Sequence, residues 1–375
     1  MLNVAITNMK AFLPRIEINL TQIEHNARML CELYGQRGIS LMGVSKAVLG
    51  EPLIAEAMIR GGVKFIADSR LENIHRMRNA RISAQFVLLR TAPSQAESII
   101  ENVDISLNTE MDTLEKLNYY ASEQNKIHQI ILMVEMGDLR EGIMPDDIFC
   151  FIKKVLDLPH LKILGIGCNL ACYGGIKPDN QKMFQLSALT EAVEKKFQIN
   201  LPIISGGNSA NYEWYKSTKD VGRINNLRLG ESILLGCEPV KGETIPKLHT
   251  HAFKLIAEVI ESKVKPSLPF GQIGRDAFGK IPVFGNREAY PKGLPSNGCN
   301  RHTHRRAIIA LGKQDTLISG LSPNQDLEIL GSSSDHLVLD CKNSFLKVGE
   351  GVNFNLDYGG LLMAMTSPFI KKQFI

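Results

Sequence analysis

The chain alternates short, continuously apolar runs with longer stretches of helical period. Arg15-Ile-Glu-Ile-Asn-Leu20 alternates at period two and predicts a strand. Thr21-Gln-Ile-Glu24 has the capping-box pattern, so Thr21 is expected to cap a helix whose buried positions include Ile23, Ala27 and Leu30. The next apolar run, Ile39–Val44, delivers Lys46 to its C-terminal edge and turns at Gly50, with a helix expected from Glu51 to Ile59. Further strands are predicted at Lys64–Asp68, Gln85–Arg90, Val103–Asn108, Ile127–Met136, Lys162–Gly167, Leu201–Ser205 and Asn226–Gly230. The intervening helices include Arg70–Ala80, Met111–Gln124, Pro145–Leu156 and Asn180–Phe197.

Eight strand candidates thus fall within about 190 residues, and helical pattern fills seven of the eight gaps and ends. Continuous rather than alternating apolar runs are expected of strands covered on both faces. Eight strand-then-helix units predict an α/β fold, a TIM (β/α)8 barrel over residues 14–236. A doubly wound sheet competes, but it rarely needs eight units and usually opens on a Gly-rich fingerprint that is missing here.

After Gly236 the texture changes. Strands are expected at Phe253–Glu261, Arg306–Leu311, Asp326–Leu330, His336–Asp340 and Gly351–Asn355, with helical periodicity nearly absent until Tyr358. This predicts a C-terminal all-β domain, 237–375, with the N-terminal strand (1–20) joining its sheet. The long Gly/Pro-rich stretch Pro266–Arg305 is expected to be a binding loop or interface arm.

Composition narrows the function classes. A net charge of +4 over 375 residues, with no basic run, gives little support to a nucleic-acid partner. Seven scattered cysteines suit a reducing cytoplasm better than a disulfide framework, and Cys168 and Cys172 have no second pair to complete a zinc site. The start, Met1–Phe12, shows no small-residue cleavage site, and no apolar run reaches transmembrane length, so no membrane partner is expected.

If the first domain is a barrel, functional side chains belong at the strand ends of one face. Those ends supply Lys46, Arg90, Asn108, then Glu135, Asp138 and Arg140, then Asn169 and Tyr173, the turn Gly206–Ala210, and finally Arg228 with Gly230-Glu-Ser232. A lysine beside apolar neighbours can become a nucleophilic amine. Backbone amides and a hydroxyl in Ser205-Gly-Gly-Asn-Ser209 offer the ingredients of a phosphate cradle. Each feature alone is ordinary; together they are what a pyridoxal phosphate enzyme needs.

At these residues the chain resembles the alanine racemase-like (fold type III) pyridoxal phosphate enzymes, most closely the alanine/ornithine racemase family. The likeness runs from Pro14 to Pro368. It is carried by Met42-Gly-Val-Ser-Lys46, Leu132-Met-Val-Glu-Met-Gly-Asp-Leu-Arg-Glu-Gly142, Ile204-Ser-Gly-Gly-Asn-Ser209, Asn226-Leu-Arg-Leu-Gly-Glu231 and Ser333-Ser-Asp-His336. The resemblance implies that Lys46 binds the cofactor aldehyde covalently and serves as one of two proton-transfer bases. It implies that Ser209, Gly230, Glu231 and Tyr358 hold the phosphate. It also implies that Arg228 faces the pyridine nitrogen and that Arg140 lies near the phenolic oxygen and the substrate carboxylate. Asn169 stands where alanine racemases carry a histidine beside the ring. A homodimer, the β domain of one copy closing the site of the other, is implied as well.

Three departures from the family pattern stand out. The second base, a tyrosine in alanine racemases, is replaced in the run Leu311-Gly-Lys-Gln-Asp315, leaving Lys313 or Asp315 as candidates. Met133 occupies the position of a lysine that is often carbamylated, so Arg140 must be held some other way. Ala47-Val-Leu-Gly50 lacks the tyrosine that usually follows the cofactor lysine. Acidic residues near the expected site (Glu135, Asp138, Glu141, Asp335) would suit a basic amino-acid substrate such as ornithine or lysine, and Ser333 and Ser334 match positions lining the family's substrate site. The resulting expectation is an amino-acid racemase. A decarboxylase of the same fold, with Glu231 at the ring nitrogen, a racemase of alanine or another small amino acid, and a cofactor-binding protein without turnover are the alternatives.

Overall fold

The structure, a computed structural model, describes residues 14–266, 269, 271–281 and 303–375. Met1–Phe12, Cys299 and most of the Pro266–Arg305 stretch lie outside the described residues. The chain divides into two compact units, Asn19–Phe253 with Phe374–Ile375, and Lys254–Gln373 with the chain up to Ile18.

Strand β1 (Arg15–Ile18) belongs to the second unit, and a helix over Leu20–Gly35 opens the first. That helix is capped by Asn19 rather than Thr21: the Asn19 carboxamide oxygen accepts from Gln22 N at 2.9 Å, and Thr21 lies inside the first turn. Asparagine is a stronger N-cap than threonine, and the strand ends two residues earlier than its alternation implies.

The first unit is a closed parallel barrel of eight strands. They are β2 (Ser40–Val44), β3 (Phe65–Asp68), β4 (Gln85–Leu88), β5 (Ile105–Asn108), β6 (His128–Met133), β7 (Leu161–Gly167), β8 (Ile203–Ser205) and β9 (Asn226–Leu229). β9 pairs back to β2 with Met42 opposite Arg228, which closes the ring. Every strand expected from the apolar runs is present, mostly trimmed by one or two residues. The largest trim is β6, which ends at Met133 instead of Met136 because Val134 bridges to Ile143 and Glu135 turns the chain. Alternate residues of five neighbouring strands, Met42 and Val44, Ala67, Val87, Ile105 and Leu107, Ile131 and Met133, form one buried apolar cluster. Residues two apart on a strand share a face, so this cluster marks one face of the barrel wall.

The second unit is antiparallel. Its sheet runs β12 (Leu321–Pro323), β15 (Gly351–Leu356), β10 (Phe253–Pro266), β11 (Thr303–Ile309), β14 (Leu337–Asp340), β13 (Glu328–Ser332), and β1 pairs with β10 and with β16 (Lys371–Phe374). β10 runs five residues past its predicted end, β11 starts three residues before its predicted run and stops two short of its end, and β12 and β16 carry too little apolar pattern to be read from the sequence. The helix expected at Tyr358 spans Tyr358–Thr366, capped by Asp357 on Gly360 N at 2.7 Å. No helix among the described residues is long and apolar enough to cross a membrane.

Candidate active site at the barrel strand ends

Lys46 begins a single 3-10 turn directly after β2. The turn is anchored from behind: Ser45 Oγ donates to Asp68 Oδ2 at 2.7 Å, and Asp68 Oδ1 accepts from Arg70 N at 3.0 Å and Asn73 Nδ2 at 2.9 Å. Asp68 is fully buried, and burial raises its carboxyl pKa while those donors pull it down. Lys46 Nζ itself has no hydrogen-bond partner among the described residues. Sequence reading did not single out Asp68; nothing marks it except its place at the end of β3.

Arg228 lies on β9 in register with Met42, so its side chain leaves the wall on the same face as the apolar cluster. It is 5% exposed. Its guanidinium donates to Ser205 Oγ at 2.6 Å, to the Cys168 carbonyl at 2.8 Å and to Asn169 Oδ1 at 3.2 Å. All three partners are neutral. Burial therefore lowers the Arg228 pKa from its ordinary value, while Cys168 and Glu141 oppose the shift. Burial likewise pushes the Cys168 thiol up to about 12. Arginine keeps its charge through such a shift, so this is a fixed cation with donors held in place.

Asn169 Oδ1 also accepts from Asn208 Nδ2 at 3.0 Å, whereas Asn169 Nδ2 is buried with no partner. After β8 the chain turns through Gly206–Asn208 into a 3-10 turn at Ser209–Asn211, whose first amides are capped by Asn208. Ser209 Oγ accepts from Ser232 N at 3.2 Å, and Ser232 Oγ is a second buried polar atom without a partner. Gly230 packs against the end of β2, where an added Cβ would come 3.2 Å from the Cβ of Val44. The strand-end turn of residues 230–232 is thereby held beside the strand that carries Lys46. Glu231 opens a short helix, Glu231–Leu235.

The third component is the loop after β6. Glu135 Oε1 accepts from Gly137 N at 2.5 Å and Leu139 N at 3.1 Å, and its Oε2 accepts from Arg140 N at 3.3 Å. Asp138, 1% exposed, accepts from the amides of Cys172, Tyr173 and Gly174 at 3.0–3.3 Å and so ties this loop to the loop after β7. Both carboxylates are committed to backbone donors. Glu141 differs: its two oxygens pair with the Arg140 guanidinium. Three residues in the left-handed backbone region lie beside site positions, namely Leu49 after Lys46, Leu139 before Arg140 and Ala171 after Asn169. Such conformations cost about 1 kcal/mol or more and gather at functional loops.

Barrel closure thus assembles Lys46, Arg140, Asn169, Ser209, Arg228, Gly230 and Glu231 from five strand ends. A cavity of 440 Å³ lined by Met183, Phe184, Trp214 and Lys219 sits among the outer helices and contains none of them.

The remaining candidates form a separate cluster in the β unit. The β13–β14 hairpin ends in the turn Ser333–His336, where Asp335 Oδ1 accepts from Ser333 Oγ, Ser334 Oγ and His336 Nδ1 at 2.9–3.1 Å. The segment after β11 docks on this turn, with Lys313 N donating to Ser333 O at 3.1 Å and Gln314 N to Ser334 O at 3.0 Å. Gly312 makes the approach possible, since a Cβ there would sit 2.2 Å from the Ser334 carbonyl. Asp315 Oδ2 accepts from Gly312 N at 2.8 Å; burial raises its pKa, and the Gly312 bond opposes that. The Lys313 ammonium lies over the Phe278 ring, 3.4 Å from its centroid. Tyr358 is the first residue of the unit's helix.

The chain is similar to several known proteins. Residues 18–239 match the family model described as alanine racemase, N-terminal domain. The chain is 38% identical to an ornithine racemase of Acetoanaerobium sticklandii, over 96% of this chain and 99% of that one. It is 37% identical to a lysine racemase of Thermotoga maritima, over 96% and 98%. Among solved structures, an alanine racemase of Clostridium difficile 630 superposes with a TM-score of 0.72 over 98% of this chain and 97% of that one, at 16% identity.

Proposed function

This chain belongs to the alanine racemase family, and on that premise we propose that it is a pyridoxal phosphate-dependent racemase of a basic amino acid, ornithine or lysine. The observation that carries the substrate is the near full-length likeness to an ornithine racemase and a lysine racemase. The cofactor rests on the residues themselves. Two buried polar atoms without partners, Asn169 Nδ2 beside Arg228 and Ser232 Oγ beside Ser209, fit a polar ligand laid between a fixed cation and an amide-rich turn.

In this reading Lys46 holds the cofactor, Arg228 and Asn169 face its ring, and Ser209, Gly230 and Glu231 take its phosphate, with Tyr358 keeping the role implied by the resemblance. Pyridoxal phosphate, when bound, supplies a conjugated ring that spreads the electron pair left when Cα loses its proton. Arg228 does not surrender its charge, so it favours an unprotonated acceptor and tempers that withdrawal, which suits proton removal and return. Racemisation takes a proton from one side of Cα and returns one to the other, so two groups are needed. Lys46 is the first. We assign the second to Lys313 rather than Asp315, whose carboxylate is held on the Gly312 amide. Arg140 takes the substrate carboxylate. Glu135 and Asp138, spent on loop amides, contribute by fixing that loop, and Ser333, Ser334 and Asp335 form the outer wall of the substrate pocket.

A homodimer in which one copy's Lys313 serves the other copy's barrel, and a cytoplasmic location suited to free cysteines, belong to the same proposal. The test is incubation of the protein and pyridoxal phosphate with each common L-amino acid, scored by chiral chromatography. D-ornithine or D-lysine should form fastest. Preferential conversion of alanine would remove the substrate, carbon dioxide release would favour the decarboxylase, and no conversion at all would remove the enzyme.

A further inference from the structure

We infer that Glu141 is the positioning residue for Arg140, holding its guanidinium where the substrate carboxylate is to be met. This rests on the racemase reading above. Glu135 pins the Arg140 amide, and Leu139 (φ 53°) fixes the chain before it, so the Cα of Arg140 is placed by the loop. Nothing in that arrangement fixes the guanidinium, which stands at the end of four rotatable bonds. Glu141 does so by accepting from Nε and from Nη2 with its two oxygens, the fork geometry that sets orientation as well as distance.

Glu135 and Asp138 cannot share the task, because each already accepts three backbone amides. Both members of the Arg140–Glu141 pair keep 37% of their side-chain surface exposed. A pair that open contributes little to stability; its use is orientation. Its surroundings give the orientation a cause. Burial raises the Glu141 carboxyl pKa above its ordinary value, and the charges of Arg140, Arg228 and Lys46 pull it back only in part. Remove the carboxylate and Arg140 loses its bonded anion while the buried Arg228 charge still repels it; Arg140, the more exposed of the two, swings outward. Met133, buried in the barrel wall, has no group with which to replace it.

The experiment compares wild type, Glu141→Gln and Glu141→Asp. Arginine labelled with nitrogen-15 gives an Nε–H signal for Arg140, identified by its loss in Arg140→Lys. In the holoenzyme this signal should be slow to exchange in wild type, lost in the Gln variant and retained in the Asp variant. Racemisation kcat/KM should fall about 10- to 100-fold in Gln, as expected for a misplaced binding group, and by a smaller factor in Asp. The ratio of wild-type to Gln rates should be largest above the Glu141 pKa and shrink as falling pH protonates the carboxyl and breaks the pair. A Gln variant that keeps the Arg140 signal and a rate within about twofold of wild type overturns the assignment. So does a loss confined to KM for basic amino acids with neutral ones unaffected, which would place Glu141 on the substrate's side-chain ammonium. If wild type racemises nothing, the functional reading fails, while the Arg140 signal still reports on the pair.

Discussion

The barrel strand ends and the hairpin tip of the β unit use similar residue types in opposite ways. In the barrel, Arg228 is 5% exposed with three neutral partners, and Glu135 and Asp138 each accept three amides. At the tip, Ser333, Ser334, Asp335 and His336 bond chiefly to one another near the surface, and Lys313 lies over an aromatic face. The difference is one of preorganisation. Dipoles and charges fixed in a water-poor site act on a reacting group without having to reorient, whereas a solvated rim can adapt to what it meets.

Mutation can break that contrast. Lys46→Ala should remove both the visible absorbance of bound cofactor and racemisation, by about 10⁴-fold or more as for other covalent catalytic groups; colour and turnover that survive would place the chemistry elsewhere. Lys313→Ala should slow Cα proton exchange by about 10²- to 10⁴-fold for one enantiomer and far less for the other. Measured by mass spectrometry in deuterium oxide, equal and near-normal rates for both would show the tip to be a passive rim. Asp138→Ala strips the acceptor from the Cys172, Tyr173 and Gly174 amides and should cost about 2–4 kcal/mol in urea unfolding with a raised KM, since bonds to a charged acceptor are among the stronger ones. Phe278→Ala should be the mildest, because an exposed cation–π contact contributes only about 0.5–1 kcal/mol. Its steady-state rate should stay within about threefold of wild type, and a larger fall would mean that the ring sets the position of Lys313.

The amphipathic and apolar patterns reached furthest where burial is repetitive. Eight strands were legible because each is covered on both faces, and the long Asn180–Phe197 helix appears with the limits its period predicts. Short edge strands such as Lys371–Phe374 escaped, since two lysines, a glutamine and a single half-buried phenylalanine give no core signal. Asn19 took the cap expected of Thr21 because which residue has extended backbone at the junction depends on where β1 stops.

Within the candidate site, sequence supplied the residue types, and the family resemblance implied roles for them. It could not sort Glu135, Asp138 and Glu141, three carboxylates in seven residues. Only loop closure does that, by bringing amides to the first two and a guanidinium to the third. Asp68 and Ser205 likewise gained their partners, each 23 residues away, when consecutive strands of the barrel were laid side by side. Periodicity along the chain fixes which faces are buried, because burial follows local geometry. The partners that Asp68, Asp138 and Arg228 find are set by how separate strands and loops are brought together, and so belong to the tertiary structure alone.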